Sequence, residues 1–329
     1  MRHDDRPRKP LSTAAKLGQG AALYMWRNQK ALLALLFIAV VFAFLTEHFF
    51  TFYNLVNVAR QTSICAILAA GMTLVLTLGD IDLSVGANAG FCGVIAAFLL
   101  KKVGIDVPVA FLLVLGVGGF IGLLNGFLVA KVRVPFFVAT LATMSVLTGA
   151  SFLITGGYPF SLLPKAWRLF GRGVIWGVPA PVIIMVLVFV ILQIVQSRSI
   201  LGRKIYAVGA NARAARLSGI NIDRVRIVAY TLCGVLAGLG GIVVSSRLDS
   251  GDPSVGPSFL LTMVAAPILG GTKLSGGEGT MMGTLIGALV LGVINNAMSL
   301  MGLNTYWQDV GRGLILLAIV IPQITRRRS

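Results

Sequence analysis

The segment Gly79-Asp80-Ile81-Asp82-Leu83-Ser84-Val85-Gly86 sets two carboxylates beside an apolar run, with a glycine at each end. A carboxyl pair can work as general acid and base, but that chemistry needs a nucleophile, metal ligands or oxyanion donors beside it, and the segment carries none. Next to lipid an ionised acid costs several kcal/mol unless it is paired or hydrated. Two readings remain: a structural cap at a turn or unwound helix start, and a gate on a solute pathway. Under the first, Asp82 accepts hydrogen bonds from backbone N–H groups at the start of the next helix.

A second segment, Gly270-Gly271-Thr272-Lys273-Leu274-Ser275-Gly276-Gly277-Glu278-Gly279, has the glycine density of a phosphate cradle but lacks the Gly-Lys-Ser/Thr ending that holds phosphate and magnesium. It reads as a tight hairpin that binds no ATP. Gly279, Gly283 and Gly287 continue at four-residue spacing into the next apolar run, which predicts a groove for close helix approach.

In a third segment, Asn211 is placed to cap a short helix through Ala212, Arg213, Ala214, Ala215, Arg216 and Leu217, and Gly219 to end it in a left-handed conformation. Arg213 and Arg216 fall on one face of that helix. The physics alone leaves two roles open: a basic linker, or a coupling helix that takes motion from a nucleotide-hydrolysing partner. Polar residues inside apolar runs, Asn88, Asn125, Thr140, Asn295 and Asn296 among them, are candidates for a translocation pathway, although most such residues join helices.

Metal and redox chemistry find little support. Cys65, Cys92 and Cys233 are scattered through apolar stretches, where cysteine acts as a small hydrophobe, and His3 and His48 lie in a polar tail and at a helix end. No metal, cofactor or catalytic residue is expected.

The elements that position these residues are membrane helices. The chain has 329 residues, 57% apolar and 12% charged, with a mean hydropathy of +0.89, which leaves too little polar surface to wet a globular domain of this length. A bilayer core about 30 Å thick takes roughly 20 apolar residues per helix. Runs near that length predict an all-α polytopic protein with about ten transmembrane helices, at 31–46, 62–79, 84–100, 108–130, 136–155, 174–196, 227–245, 259–271, 281–300 and 310–325. The eighth is short and contains Pro267, so it reads as a broken or re-entrant helix.

A net charge of +17 does not point to nucleic acid, because the basic residues occupy short gaps between spans rather than one folded polar face. With alternating spans and a cytoplasmic start, 20 of the 28 Lys and Arg residues fall inside, which predicts both termini cytoplasmic. The expected organisation is a cytoplasmic tail at 1–30, a transmembrane domain at 31–325 and a basic cytoplasmic terminus at 326–329. The loop 197–226 is the one cytoplasmic segment long enough to fold by itself.

Three long segments carry a resemblance: GMTLVLTLGDIDLSVG at 71–86, LGRKIYAVGANARAARLSGI at 201–220 and LGGTKLSGGEGTMMGTLIGALVLGVINN at 269–296. The chain resembles the permease subunits of bacterial binding-protein-dependent ATP-binding-cassette importers for ribose, xylose, arabinose and galactosides, nearest the ribose type through RLSGIN at 216–221 and Leu232-Cys233-Gly234. The resemblance implies import of a sugar across the bacterial inner membrane. It implies as partners ATP-binding-cassette ATPase subunits, a periplasmic substrate-binding protein and a second permease copy or a related permease. It also maps the family's ATPase-contacting loop onto the helix after Asn211. The chain departs from the pattern at Asp80, where a small residue is usual, and at Phe259-Leu260-Leu261-Thr262-Met263, where ribose-type members carry acids. Those departures leave another pentose, a hexose, a polyol or a nucleoside as solute. The rival class, an ion-coupled secondary transporter, needs charged relays within the spans, and mid-span charges are nearly absent.

Overall fold

The computed structural model describes residues 49–325, so the tail expected at 1–30, the first span expected at 31–46 and the basic end at 326–329 lie outside the described residues. In chain order the helices are α1 (Phe52–Thr77), α2 (Val85–Phe98), α3 (Val107–Phe127), α4 (Phe136–Thr155), α5 (Lys165–Arg172), α6 (Ala180–Arg198), α7 (Ile200–Ala210), α8 (Ala212–Leu217), α9 (Ile222–Leu248), α10 (Leu260–Leu269), α11 (Met281–Leu300) and α12 (Thr305–Thr325). Four two-residue strands, β1 (Phe160–Ser161), β2 (Val174–Ile175), β3 (Val178–Pro179) and β4 (Ser250–Gly251), form two antiparallel pairs, β1 with β4 and β2 with β3.

Among the described residues seven helices are long and apolar enough to cross a membrane: α1, α2 and α3 with their terminal π turns, α4, α6, α9 and α11. The ten expected spans are therefore matched only in part. The eighth is short, as expected. A 3-10 turn at Gly256–Phe259 and α10 together span roughly 23 Å, less than the ~30 Å bilayer core. The two largest shifts of a helix start have physical reasons. α1 begins at Phe52 instead of 62, because Asn54, Asn57, Arg60 and Gln61 interrupt the apolar run without interrupting the helix, which Thr51 caps. The sixth begins at Ala180 instead of 174, because Gly177 at φ +80° turns a β2–β3 hairpin first.

α9 is the central helix. It packs on α3 by glycine against glycine: a Cβ at Gly118 would lie 2.5 Å from the Gly234 carbonyl oxygen, and one at Gly234 would lie 2.3 Å from that of Gly118. At such distances only glycine lets the backbones meet, the small-residue packing that replaces hydrophobic drive inside lipid.

The two ends of the bundle are each knit together. At one end Lys131 and Arg133 pair with Asp223, and Gly79 lies against Ser275. At the other, Arg168 pairs with Asp249 at 2.9 Å and β1 with β4, closing the segment 156–179 over the bundle. Its α5 sinks Trp167 fully, with Nε1 donating to Ser245 Oγ and the Trp167 carbonyl accepting from Ser246 Oγ.

Candidate functional site

The signature turn sits between α1 and α2 at the end that carries α7 and α8. Gly79 takes φ +87°, which reverses the chain without a Cβ penalty. Asp82 is buried, and its Oδ1 accepts from Ser84 N at 2.9 Å and from Ser84 Oγ at 2.6 Å. Asn125 Nδ2 on α3 then donates to Ser84 Oγ at 2.8 Å, and Thr143 Oγ1 on α4 donates to Asn125 Oδ1 at 2.6 Å. One polar chain thus ties the turn to two helices. Burial raises the Asp82 pKa, and the hydrogen bonds from Ser84 and Asn125 oppose the rise.

Asp80 answers to a different partner. Its Oδ2 lies 3.1 Å from Arg226 Nε, although the hydrogen bond itself is the longer one from Arg226 Nη2 to Oδ1 at 3.4 Å. With that imperfect geometry burial outweighs the guanidinium, and the Asp80 pKa is pushed up to about 6. Gly86, at the start of α2, does not cap the turn. A Cβ there would sit 2.6 Å from the Gly256 carbonyl oxygen, so Gly86 admits the broken eighth segment onto the face of α2.

The loop 197–226 folds as a helical pair, α7 then α8. α8 occupies the range read from sequence, with Asn211 Oδ1 accepting from Ala214 N at 2.9 Å and Gly219 at φ +79°. Arg213, Arg216 and Leu217 are exposed, Leu217 at 84%, while Ala212 and Ala214 are open to solvent beside them. Ala215 departs from the rest of that helix: it is buried against the chain's own core with Ile205, Val208, Ile222 and Val225, so it anchors α8 and presents nothing outward to a coupling partner. α7 had no signal in the apolar pattern; Ser199, accepting from Gly202 N at 3.0 Å, was the cap that marks its start.

The glycine-rich hairpin at 270–279 spends its donors on this chain. Gly276 N donates to Lys273 O and Gly277 N to Thr77 O, which leaves those amides none to offer a phosphate. The helix-packing glycines are in tight quarters: a Cβ at Gly283 or at Gly287 would lie 2.1 Å from a carbonyl oxygen of Gly270 or Ala266, and one at Gly279 2.6 Å from Thr77 Oγ1.

The pathway candidates divide. Asn88 donates to the Gly118 carbonyl at 3.2 Å and Asn125 serves the network above, so both join helices, whereas Thr140 returns its hydroxyl to Phe136 O within α4. Asn296 exchanges both amide bonds with Asn54 and lines a cavity of about 340 Å³ with Thr51, Asn57 and Ser299. Asn295 lines another of about 280 Å³ together with Gln61, Arg247 and Arg312, none of which the spacing of apolar runs singled out.

Comparison with known proteins decides the family. The family described as branched-chain amino acid transport system / permease component matches residues 54–320. The chain belongs to this permease family. Ribose import permease protein RbsC of Escherichia coli is 44% identical over 300 residues, 89% of this chain and 92% of that protein. The permease is 39% identical to the Bacillus subtilis protein of the same name over 299 residues, 90% and 92% of the two chains. Xylose transport system permease protein XylH of Escherichia coli is 32% identical over 338 residues, 84% and 86%. No solved structure matches. The chain is thus a permease subunit of an ATP-binding-cassette importer, a transport component rather than an enzyme, which leaves the ion-coupled class without support.

Proposed function

We propose that this permease forms the membrane path of an ATP-driven importer for a small polyhydroxylated solute, ribose and xylose being the sugars named for its relatives. The glycine-rich hairpin at 270–279 is no phosphate cradle and the relatives are import permeases, so the energy enters from ATPase subunits, and the place for that contact is α8. The observation that carries the reading is the exposed face of α8, with Arg213, Arg216 and Leu217 outward on a helix capped at both ends and anchored by Ala215. A short rigid element fixed to the bundle transmits a push; a flexible basic linker would not.

In this reading the α7–α8 end is cytoplasmic, both termini are inside the cell and the first span at 31–46 completes ten membrane segments in the inner membrane. A periplasmic binding protein delivers solute to the opposite end. Lipid covers the exposed apolar side chains of α3, α4 and α6, such as Leu112, Phe120, Val146 and Ile191. A second permease copy, or a related permease, supplies the other half of the path. The hydroxyl and amide groups of the Asn54–Asn296 cavity suit sugar hydroxyls.

The test is co-purification. Leu217→Glu and Gly219→Val should leave the permease inserted while reducing both ATPase retention and solute uptake, since φ +79° penalises a β-branched residue by roughly 1 kcal/mol or more. Ala215→Glu should instead lower the yield of folded permease, because its site is internal. Wild-type ATPase retention and uptake in both Leu217→Glu and Gly219→Val would end the coupling assignment.

A further inference from the structure

The cavity of about 280 Å³ between α1, α9, α10, α11 and α12 has an unusual charge for a sugar path. Its polar lining includes Gln61, Arg247, Ser258, Thr262, Asn295, Thr305 and Arg312, and among the described residues no carboxylate lines it. Arg312 is mostly buried. Its Nη1 reaches the exposed Asp309 carboxylate at 3.2 Å and Ser258 O at 3.4 Å, while its Nε is buried with no hydrogen-bond partner. Arg247 belongs to no ion pair among the described residues, although its backbone carbonyl accepts from Arg172 Nε. Arg60, next to Gln61 on α1, adds a third guanidinium whose buried Nε also lacks a partner.

Guanidinium groups held near lipid with donors left unpaired are costly, and such residues in membrane proteins face ligands or ion paths. The planar fork of arginine matches the two oxygens of a carboxylate or phosphate, and a desolvated pair of this kind is about twice as strong as a neutral hydrogen bond. The cavity falls just under the usual size of small-molecule sites, roughly 300 to 1,000 Å³, which restricts it to a compact ligand.

We propose that this cavity receives an anionic sugar, with the oxyanion held between Arg247 and Arg312 and the hydroxyls on Gln61, Thr262 and Asn295. The proposal rests on the sugar-importer reading and narrows it: the cargo is a polyhydroxylated acid rather than a neutral pentose.

The test uses the full-length permease in phosphatidylcholine nanodiscs, titrated calorimetrically with D-ribose, D-ribonate and D-ribose 5-phosphate. The expected result is that one of the two acids binds at least about tenfold more tightly than ribose, and that Arg247→Gln and Arg312→Gln each remove about that factor for the acid, bringing it down towards the affinity for ribose. Which acid is favoured separates a carboxylate from a phosphate cargo. Arg247→Lys keeps the charge and loses the fork, so it should fall between wild type and Arg247→Gln. Co-purification of the ATPase reports that each variant is folded; should one variant fail there, the wild-type preference and the other variant carry the test. Equal binding of ribose and both acids by the wild type, or full acid binding by the folded glutamine variants, overturns the proposal. So does protection of the site by added phosphatidylglycerol that neither acid displaces, which would assign the arginines to a lipid headgroup. In each of those cases retained ATPase association and sugar-stimulated ATP hydrolysis leave the importer reading standing, whereas their loss in the wild type would break that reading itself.

Discussion

Replacing Asp82 by alanine removes the acceptor for two groups at once, the backbone N–H and the hydroxyl of Ser84, and both residues are buried, at 2% and 1% exposure. Hydrogen bonds to a charged group contribute about 1.5–3 kcal/mol each, so the gross loss is about 3–6 kcal/mol. Against this stands the burial of an ionised carboxylate, which raises the Asp82 pKa and so already destabilises the charged form. The net loss for Asp82→Ala is therefore expected at about 2–4 kcal/mol. Asparagine keeps an oxygen for Ser84 N and carries no charge to desolvate, so Asp82→Asn should lose only about 1 kcal/mol. The linkage has a definite sign. A carboxyl whose folded pKa is raised loses stability as pH rises through that pKa, so the deficit of Asp82→Asn relative to wild type should shrink as pH rises. Equilibrium unfolding in mixed micelles of graded denaturing detergent, read by helical circular dichroism, gives the midpoints, and uptake in proteoliposomes gives the functional order. Wild type and Asp82→Asn should lie close together, with Asp82→Ala well below. An alanine variant within about 0.5 kcal/mol of wild type, or an asparagine variant as damaged as alanine, would refute the view that the acceptor holds the turn.

Gly283→Ala places a Cβ 2.1 Å from the backbone oxygen of Gly270, which cannot rotate away, so a loss of about 1–3 kcal/mol is expected. Gly116→Ala, on α3 with open space around it, should match or exceed wild type in the same assay; equal behaviour of the two variants would count against close packing of α10 on α11. Asp80, with its pKa pushed up to about 6 by burial, favours the protonated form in the folded protein, so its contribution should fall by about 1 kcal/mol between pH 5 and pH 7. Asp80→Asn should flatten that part of the stability profile, and an unchanged slope would show that Arg226 keeps Asp80 ionised throughout.

The sequence alone determined the features that depend on near neighbours. A membrane fold follows from apolar run length. The limits of α8 follow from the Asn211 cap and from Gly219, where the neighbouring backbone fixes the need for positive φ. The carboxylate-held turn at Asp82 needs only Ser84, two residues on, and the weakness of the eighth span shows in its length and in Pro267. Long motifs then fixed the family, because three of them occur in one order. Tertiary structure decided whatever depends on which helices meet. Asn54 and Asn296 are 242 positions apart and close their amide pair only when α1 lies against α11. Ala215 looks like an exposed small residue on a polar loop, and only the packing of α7 and α9 buries it. The layer at 156–179 is too polar to register as a span and becomes structure because Trp167 and Asp249 draw it onto the end of α9. The arginine-lined cavity draws its walls from five helices, none of which carries enough of it to be read alone. Local hydrogen-bond chemistry and lipid solubility are properties of a stretch of chain, whereas burial, pairing and enclosed charge are properties of the contacts between stretches.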